Sequence, residues 1–74
     1  MIIRLEEIRK RKNISMTELA RICDIDKSTI SRIESGSSVP SVYLLLRLTL
    51  ALGVTLNEMI DIDAFRREIL DEHK

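Results

Sequence analysis

Apolar residues recur through the first third of the chain at intervals of three and four, the spacing that lines one face of an α-helix. Leu5 and Ile8 begin the pattern and predict a helix over residues 3–12, with Asn13 placed to end it in a left-handed conformation. Leu19, Ala20 and Cys23 form the inner stripe of a second helix starting at Met16. Its start is written as Ser15-Met16-Thr17-Glu18, a capping box in which the serine hydroxyl takes an unpaired N–H and the glutamate reaches back. Asp24 and Ile25 then make a tight turn, since aspartate tolerates the left-handed region better than most residues. Asp26 is expected to cap a third helix over residues 27–35, and Gly36 to stop it.

Residues 37–40 read as a loop, and Pro40 disfavours helix at its predecessor, so a fourth helix begins after it with Ser41 as cap. This helix is expected to end at Leu52, before Gly53, with Val42, Leu45, Leu48, Thr49 and Leu52 facing inward. Thr55-Leu56-Asn57-Glu58 is a second capping box and opens a short fifth helix. Ile62, Phe65 and Ile69 share a helical face and predict a sixth helix, with Asp61 or Asp63 as its cap. There is no internal repeat, no low-complexity segment and no strand-like alternation beyond a few residues. The pattern predicts one all-α domain of five or six short helices.

The third helix is the odd one. It hides only Ile30 and Ile33, and turns Lys27, Ser28, Ser31 and Arg32 outward. Twelve basic and twelve acidic residues cancel over the whole chain, yet residues 9–32 hold seven bases (Arg9, Lys10, Arg11, Lys12, Arg21, Lys27, Arg32) against three acids (Glu18, Asp24, Asp26). Anion binding follows local patches rather than totals. Taken alone, the run Arg9-Lys10-Arg11-Lys12 reads as the solvated end of a helix, since charge runs usually face solvent.

Seventy-four residues make a small domain that buries roughly 60% of its unfolded surface, so its stability is marginal without added support. Disulfides supply none, because Cys23 is the only cysteine. A single thiol and no recognisable signal peptide point to a reducing, cytoplasmic setting. No apolar run reaches membrane-spanning length; Arg47 interrupts the one at 44–46. A partner subunit is the remaining source of support.

Two short helices joined by a turn of about three residues have the layout of a helix-turn-helix. The stretch from Leu5 to Ile60 resembles the phage-repressor and Cro-type (XRE) helix-turn-helix domains. Leu19-Ala20, Ile25, Ser28-Thr29-Ile30, Ile33-Glu34, Gly36, Pro40-Ser41, Leu45-Leu46, Leu48, Ala51-Leu52-Gly53 and Leu56 stand where that family pattern expects them. The resemblance implies a five-helix Cro/C1 repressor-like bundle, extended here by the short sixth C-terminal helix, and a DNA-binding transcriptional regulator of prokaryotic or phage type. It divides the chain into a DNA-binding domain over 1–60 and an extension over 61–74.

The same resemblance implies roles for individual residues. The third helix would lie in the major groove, with the second crossing the phosphate backbone. Lys27, Ser28, Ser31 and Arg32 would face base edges; Arg32 suits guanine O6 and N7, or alternatively a phosphate. Phosphates would sit at helix N-termini, against Ser15, Met16, Thr17 and Thr29, and against Ser37, Ser38 and Ser41 around the following loop. Arg9 and Glu34 match a pair that ties the first helix to the end of the third, a structural role. Three departures weaken the expected phosphate affinity. Met16 stands where the family commonly has glutamine, Ser37-Ser38 where a basic loop is frequent, and Asp24 where glycine is common.

The fourth helix is too apolar for a lone chain. Tyr43, Leu46 and Leu50, with Val54 just beyond, line a second face interrupted only by Arg47. A helix apolar on nearly all sides needs cover on nearly all sides. Hiding about 300 Å² of such surface contributes several kcal/mol at ~25 cal/mol/Å². Either segment 62–70 folds back over it, or a second copy packs there two-fold symmetrically, with Tyr43, Leu46, Arg47, Leu50 and Val54 as the seam. A homodimer would join two modest half-sites of a palindromic operator about one helical turn apart. No catalytic constellation, metal cluster or cofactor motif appears: His73 stands alone near the end and Cys23 faces the core. The rival reading is an antitoxin or protein-interaction adaptor of the same shape.

Overall fold

The computed structural model describes residues 2–72, so His73 lies outside the described residues. Six helices follow in order: α1 (Leu5–Arg11), α2 (Met16–Cys23), α3 (Lys27–Ser35), α4 (Val42–Leu52), α5 (Leu56–Met59) and α6 (Ile62–Glu72). Among the described residues there is no strand, only an isolated antiparallel bridge between Ile3 and Ile60. The all-α, Cro/C1-like architecture is as expected, but the sixth helix is not short: at 11 residues it equals α4.

Helix boundaries follow backbone conformations that few residues accept. Asn13 (φ 59°), Asp24 (φ 54°), Gly36 (φ 82°) and Gly53 (φ 69°) all take positive φ, and three of the four sit directly at a helix C-cap. The start signals are subtler. Ser15 Oγ accepts the Glu18 N–H at 3.0 Å, but the Glu18 carboxylate binds Arg21 instead of reaching back, so the first capping box is half formed. Asp26 occupies the N-cap of α3 in an extended conformation without a side-chain cap bond, which corrects its expected role. Ser41 caps α4 through the Leu44 N–H at 3.1 Å, and Thr55–Glu58 forms a complete reciprocal box. Of the two candidate caps for α6, Asp61 is the one, accepting the Ala64 N–H at 3.0 Å.

The first helix begins at Leu5 rather than at residue 3, because the preceding residues pair elsewhere. Arg4 donates its N–H to the Met59 carbonyl (2.8 Å) and Asp61 donates to the Ile2 carbonyl (2.7 Å), so residues 2–4 are paired to the α5–α6 junction. An Arg4–Asp61 ion pair at 3.3 Å reinforces the junction.

The core is contiguous: Leu5 and Ile8 from α1, Leu19, Ala20 and Cys23 from α2, Ile30 and Ile33 from α3, Leu45, Leu48 and Leu52 from α4, and Met59 from α5. Each fully buried aliphatic side chain stabilises by roughly 1.5–3 kcal/mol relative to exposure. Val42 does not join them. It is 72% exposed, with no neighbouring element over it, which corrects its place in the inner stripe. The Tyr43 and Leu50 side chains remain 72% and 80% exposed, so segment 62–70 does not fold back over them.

Candidate nucleic-acid interface

The α2–α3 unit is closed by backbone bonds across its turn. Asp24 donates to the Arg21 carbonyl and Ile25 to the Ala20 carbonyl, at 3.3 and 3.0 Å. Ile25 packs against the core, so turn and helices move as one piece. The tilt of α3 is fixed from behind. Arg9 grips Glu34 with two bonds, Nε to Oε2 at 2.7 Å and Nη2 to Oε1 at 3.1 Å, and both residues are buried. Arg9 Nη1 also donates to the Ile14 carbonyl at 2.9 Å, tying in the residue before α2. The Glu34 carboxylate holds the Arg9 guanidinium above its ordinary pKa, against an opposing effect of burial. Thus α3 buries three side chains, Ile30, Ile33 and Glu34, one more than its apolar spacing indicates.

The outward face of α3 carries Lys27, Ser28, Ser31 and Arg32, all exposed. Arg32 Nη2 lies 3.4 Å from Thr29 Oγ1, one turn back. Thr29 accepts in that contact, which leaves its hydroxyl proton for another acceptor.

The same accounting separates the other hydroxyls around this face. Ser15 and Ser41 act as cap acceptors, so each keeps its O–H proton to donate to an anion. Thr17 is exposed beside Ser15. The opening N–H groups of α2, those of Met16 and Thr17, have no preceding turn to bind, as at any helix start. The Met16 side chain itself packs against the core, so this residue offers only its backbone. The loop after α3 differs. The Ser37 and Ser38 N–H groups both point to the Arg32 carbonyl, at 3.0 and 3.2 Å. Ser35 Oγ donates to that carbonyl at 3.1 Å, while Ser37 Oγ lies 3.3 Å from it and 3.0 Å from Ser35 Oγ. Ser37 therefore has its donors turned inward, and Ser38 offers only its partly buried side chain.

Ion pairing resolves the basic run. Among the described residues, Arg9 pairs with Glu34, Lys10 with Glu6, Arg11 with Glu58 and Arg21 with Glu18. Of the seven bases in residues 9–32, only Lys12, Lys27 and Arg32 have no carboxylate within 4.0 Å. Two of those three stand on the outward face of α3. The pairs of Lys10 and Arg21 are local, three or four residues apart on one helix, but those of Arg9 and Arg11 join residues distant in the chain and leave no mark in its spacing.

Cys23 is a buried, free thiol whose pKa burial pushes up, with a smaller opposing effect from Arg47. That combination makes an inert core residue. Among the described residues, no group of three or more His, Cys, Asp or Glu could hold a metal ion, and no helix is long and apolar enough to cross a membrane.

No curated protein matches the chain. A helix-turn-helix family model matches residues 5–59, which takes in α1 to α5 and stops short of α6. The chain therefore belongs to the Cro/C1-type (XRE) helix-turn-helix family and carries a DNA-binding, transcription-regulator-type domain.

Proposed function

We propose that the protein is a sequence-specific reader of double-stranded DNA that regulates transcription as a homodimer, with α3 of each copy in the major groove of one half of a palindromic operator. The observation that carries this reading is the outward face of α3. Lys27, Ser28, Ser31 and Arg32 stand exposed there, two of them cations without a carboxylate partner, on a helix clamped from behind by Arg9–Glu34. Arg32 has the forked geometry for guanine, and Lys27 the reach for a guanine or phosphate. Ser15, Thr17, Thr29 and Ser41 donate hydroxyls to phosphates, Met16 donates its backbone N–H, and Ser37 and Ser38 contribute once the duplex competes for their donors. Residues 1–60 form the DNA-binding domain and 61–74 an extension that aids pairing of two copies. No cofactor is required.

Binding to duplex as a function of salt tests the reading. A DNA reader shows log K falling linearly with log[salt], in proportion to the phosphates it neutralises. Arg32→Ala should weaken the preferred duplex by about 5- to 150-fold, equivalent to 1–3 kcal/mol, while leaving random duplex nearly unchanged. Equal loss on both would reassign Arg32 to a phosphate. The apolar face of α4 also favours a second reading, an antitoxin or protein-interaction adaptor. That reading predicts no duplex binding even in dilute buffer.

A further inference from the structure

Two apolar helix faces lie uncovered in one chain. The outer side of α4 presents Val42, Tyr43, Leu46 and Leu50, and α6 presents Ile62, Phe65, Ile69 and Leu70 at 37–56% exposure. We propose that these faces cover each other between two copies, α6 of each chain lying across the outer face of α4 of the other. This rests on the homodimer reading and specifies its seam.

Two observations select this occupant. The first is that α6 is not free to cover its own α4. Its start is pinned to the N-terminal segment by the Ile3–Ile60 bridge, the Asp61 N–H on the Ile2 carbonyl and the Arg4–Asp61 ion pair. From there Phe65 and Glu68 line a cleft of about 370 Å³ with Ile3, Ile33, Ser38 and Val39, on the side of the bundle that includes the loop after α3. Phe65 thus has partial cover from its own chain. Ile69 and Ile62 continue the apolar arc around the helix, away from Glu68, and Leu70 follows on the far side of Arg66.

The second is area. The exposed apolar side chains of α4 and α6 together offer on the order of 800 Å² per chain, so two copies that cover all of them bury roughly 1,600 Å², the size of a standard stable interface.

The test uses two full-length variants of different mass, Leu50→Cys and Ile69→Cys, mixed, equilibrated and treated with a short bis-maleimide. The wild type is the control, since its Cys23 is buried. The expected product is the mixed Leu50→Cys/Ile69→Cys dimer, at least tenfold over either self-linked species. Leu70→Glu, which keeps α6 helical by circular dichroism, is expected to raise the dimer dissociation constant at least tenfold in sedimentation. A dimer cross-linked mainly through Leu50→Cys to itself, or one indifferent to Leu70→Glu, overturns the α4–α6 seam and leaves the homodimer standing. A monomeric sedimentation mass for the wild type at all concentrations overturns both.

Discussion

Helices α3 and α4 bury the same kind of face and expose opposite ones. Inward, α3 places Ile30 and Ile33 and α4 places Leu45, Leu48 and Leu52 in one shared core. Outward, α3 shows two serines, a lysine and an arginine, while α4 shows a valine, a tyrosine and two leucines. The core sets little requirement on either outer face, since none of those side chains is a member of it. The difference therefore concerns what each face meets outside the chain. Single exposed apolar residues are ordinary on protein surfaces, but a contiguous patch marks an interaction site. A polar, cationic surface of short side chains suits a hydrated, anionic groove, and an apolar helical ridge suits another protein surface.

The contrast holds only while α3 keeps its tilt, and the Arg9–Glu34 pair is the most direct way to break it. Glu34→Ala leaves a buried guanidinium without its carboxylate, which typically costs about 3–5 kcal/mol. For a domain of this size that is most of the folding free energy. Urea denaturation should show the loss, with DNA binding falling alongside it. A loss under about 1 kcal/mol would mean that the pair does not hold α3 in place.

A second pair of substitutions sharpens the comparison within α4. Leu48 is fully buried and Leu50, two residues on, is 80% exposed. Leu48→Ala should cost about 2–5 kcal/mol through lost burial and the cavity left behind. Leu50→Ala should stay within about 0.5 kcal/mol when the chain is dilute enough to be monomeric. Its effect should appear instead as weaker self-association in sedimentation. If Leu50→Ala destabilises the dilute chain as much as Leu48→Ala, the outer face of α4 is part of the fold and not an interface.

How much of this was readable beforehand depended on how local each signal is. Helix ends at Asn13, Asp24, Gly36 and Gly53 were legible because few residues accept positive φ, and the residue type announces it. Caps were half legible. A serine or threonine at the right offset marks the start, but whether the following glutamate reaches back depends on its rivals. Glu18 has Arg21 one turn away and binds it, whereas Glu58 bonds to Thr55 and the box closes, with Arg11 3.8 Å away on its outer side. Val42 fits the spacing of Leu45 and Thr49, and only the tertiary arrangement shows that it is left exposed. The bridge from Ile3 to Ile60 spans almost the whole domain and leaves no trace in local pattern. The outward residues of α3 were legible from spacing alone, but the neutralisation of Arg9 by Glu34 and of Arg11 by Glu58 was not.

Helix caps offer a smaller, cleaner contrast between the two faces. Ser15→Ala and Thr55→Ala each remove a cap acceptor and should each cost about 1 kcal/mol. Only Ser15 also keeps a hydroxyl proton on the side proposed to meet phosphate. Ser15→Ala should therefore lower duplex affinity beyond its stability cost, under conditions where both variants are fully folded, while Thr55→Ala should not. Equal affinities for the two would remove Ser15 from the phosphate contacts.

The smallest expected effect is an acid response at the joint that carries α6. Asp61 has its carboxyl held below the ordinary range, first by the Ala64 N–H and then by Arg4. Glu58 is held down similarly by the Thr55 N–H and hydroxyl. A carboxyl with a lowered folded-state pKa binds fewer protons in the folded chain than in the unfolded one. Its contribution is complete above the unfolded value, about pH 4 for aspartate, and disappears as pH falls through the lower folded value. The joint should therefore be at full strength at neutral pH and loosen only in strong acid. Asp61→Asn removes the titration and weakens the bond to Arg4, so its urea midpoint should fall below wild type at pH 7 and approach it near pH 2. The ends of the molecule should also part company: α6 amides should exchange faster in acid before those of α3, whose clamp is buried. Simultaneous loosening of α3 and α6 would show that the joint and the DNA-facing helix are one cooperative unit, and that the difference between the two faces is one of surface chemistry alone.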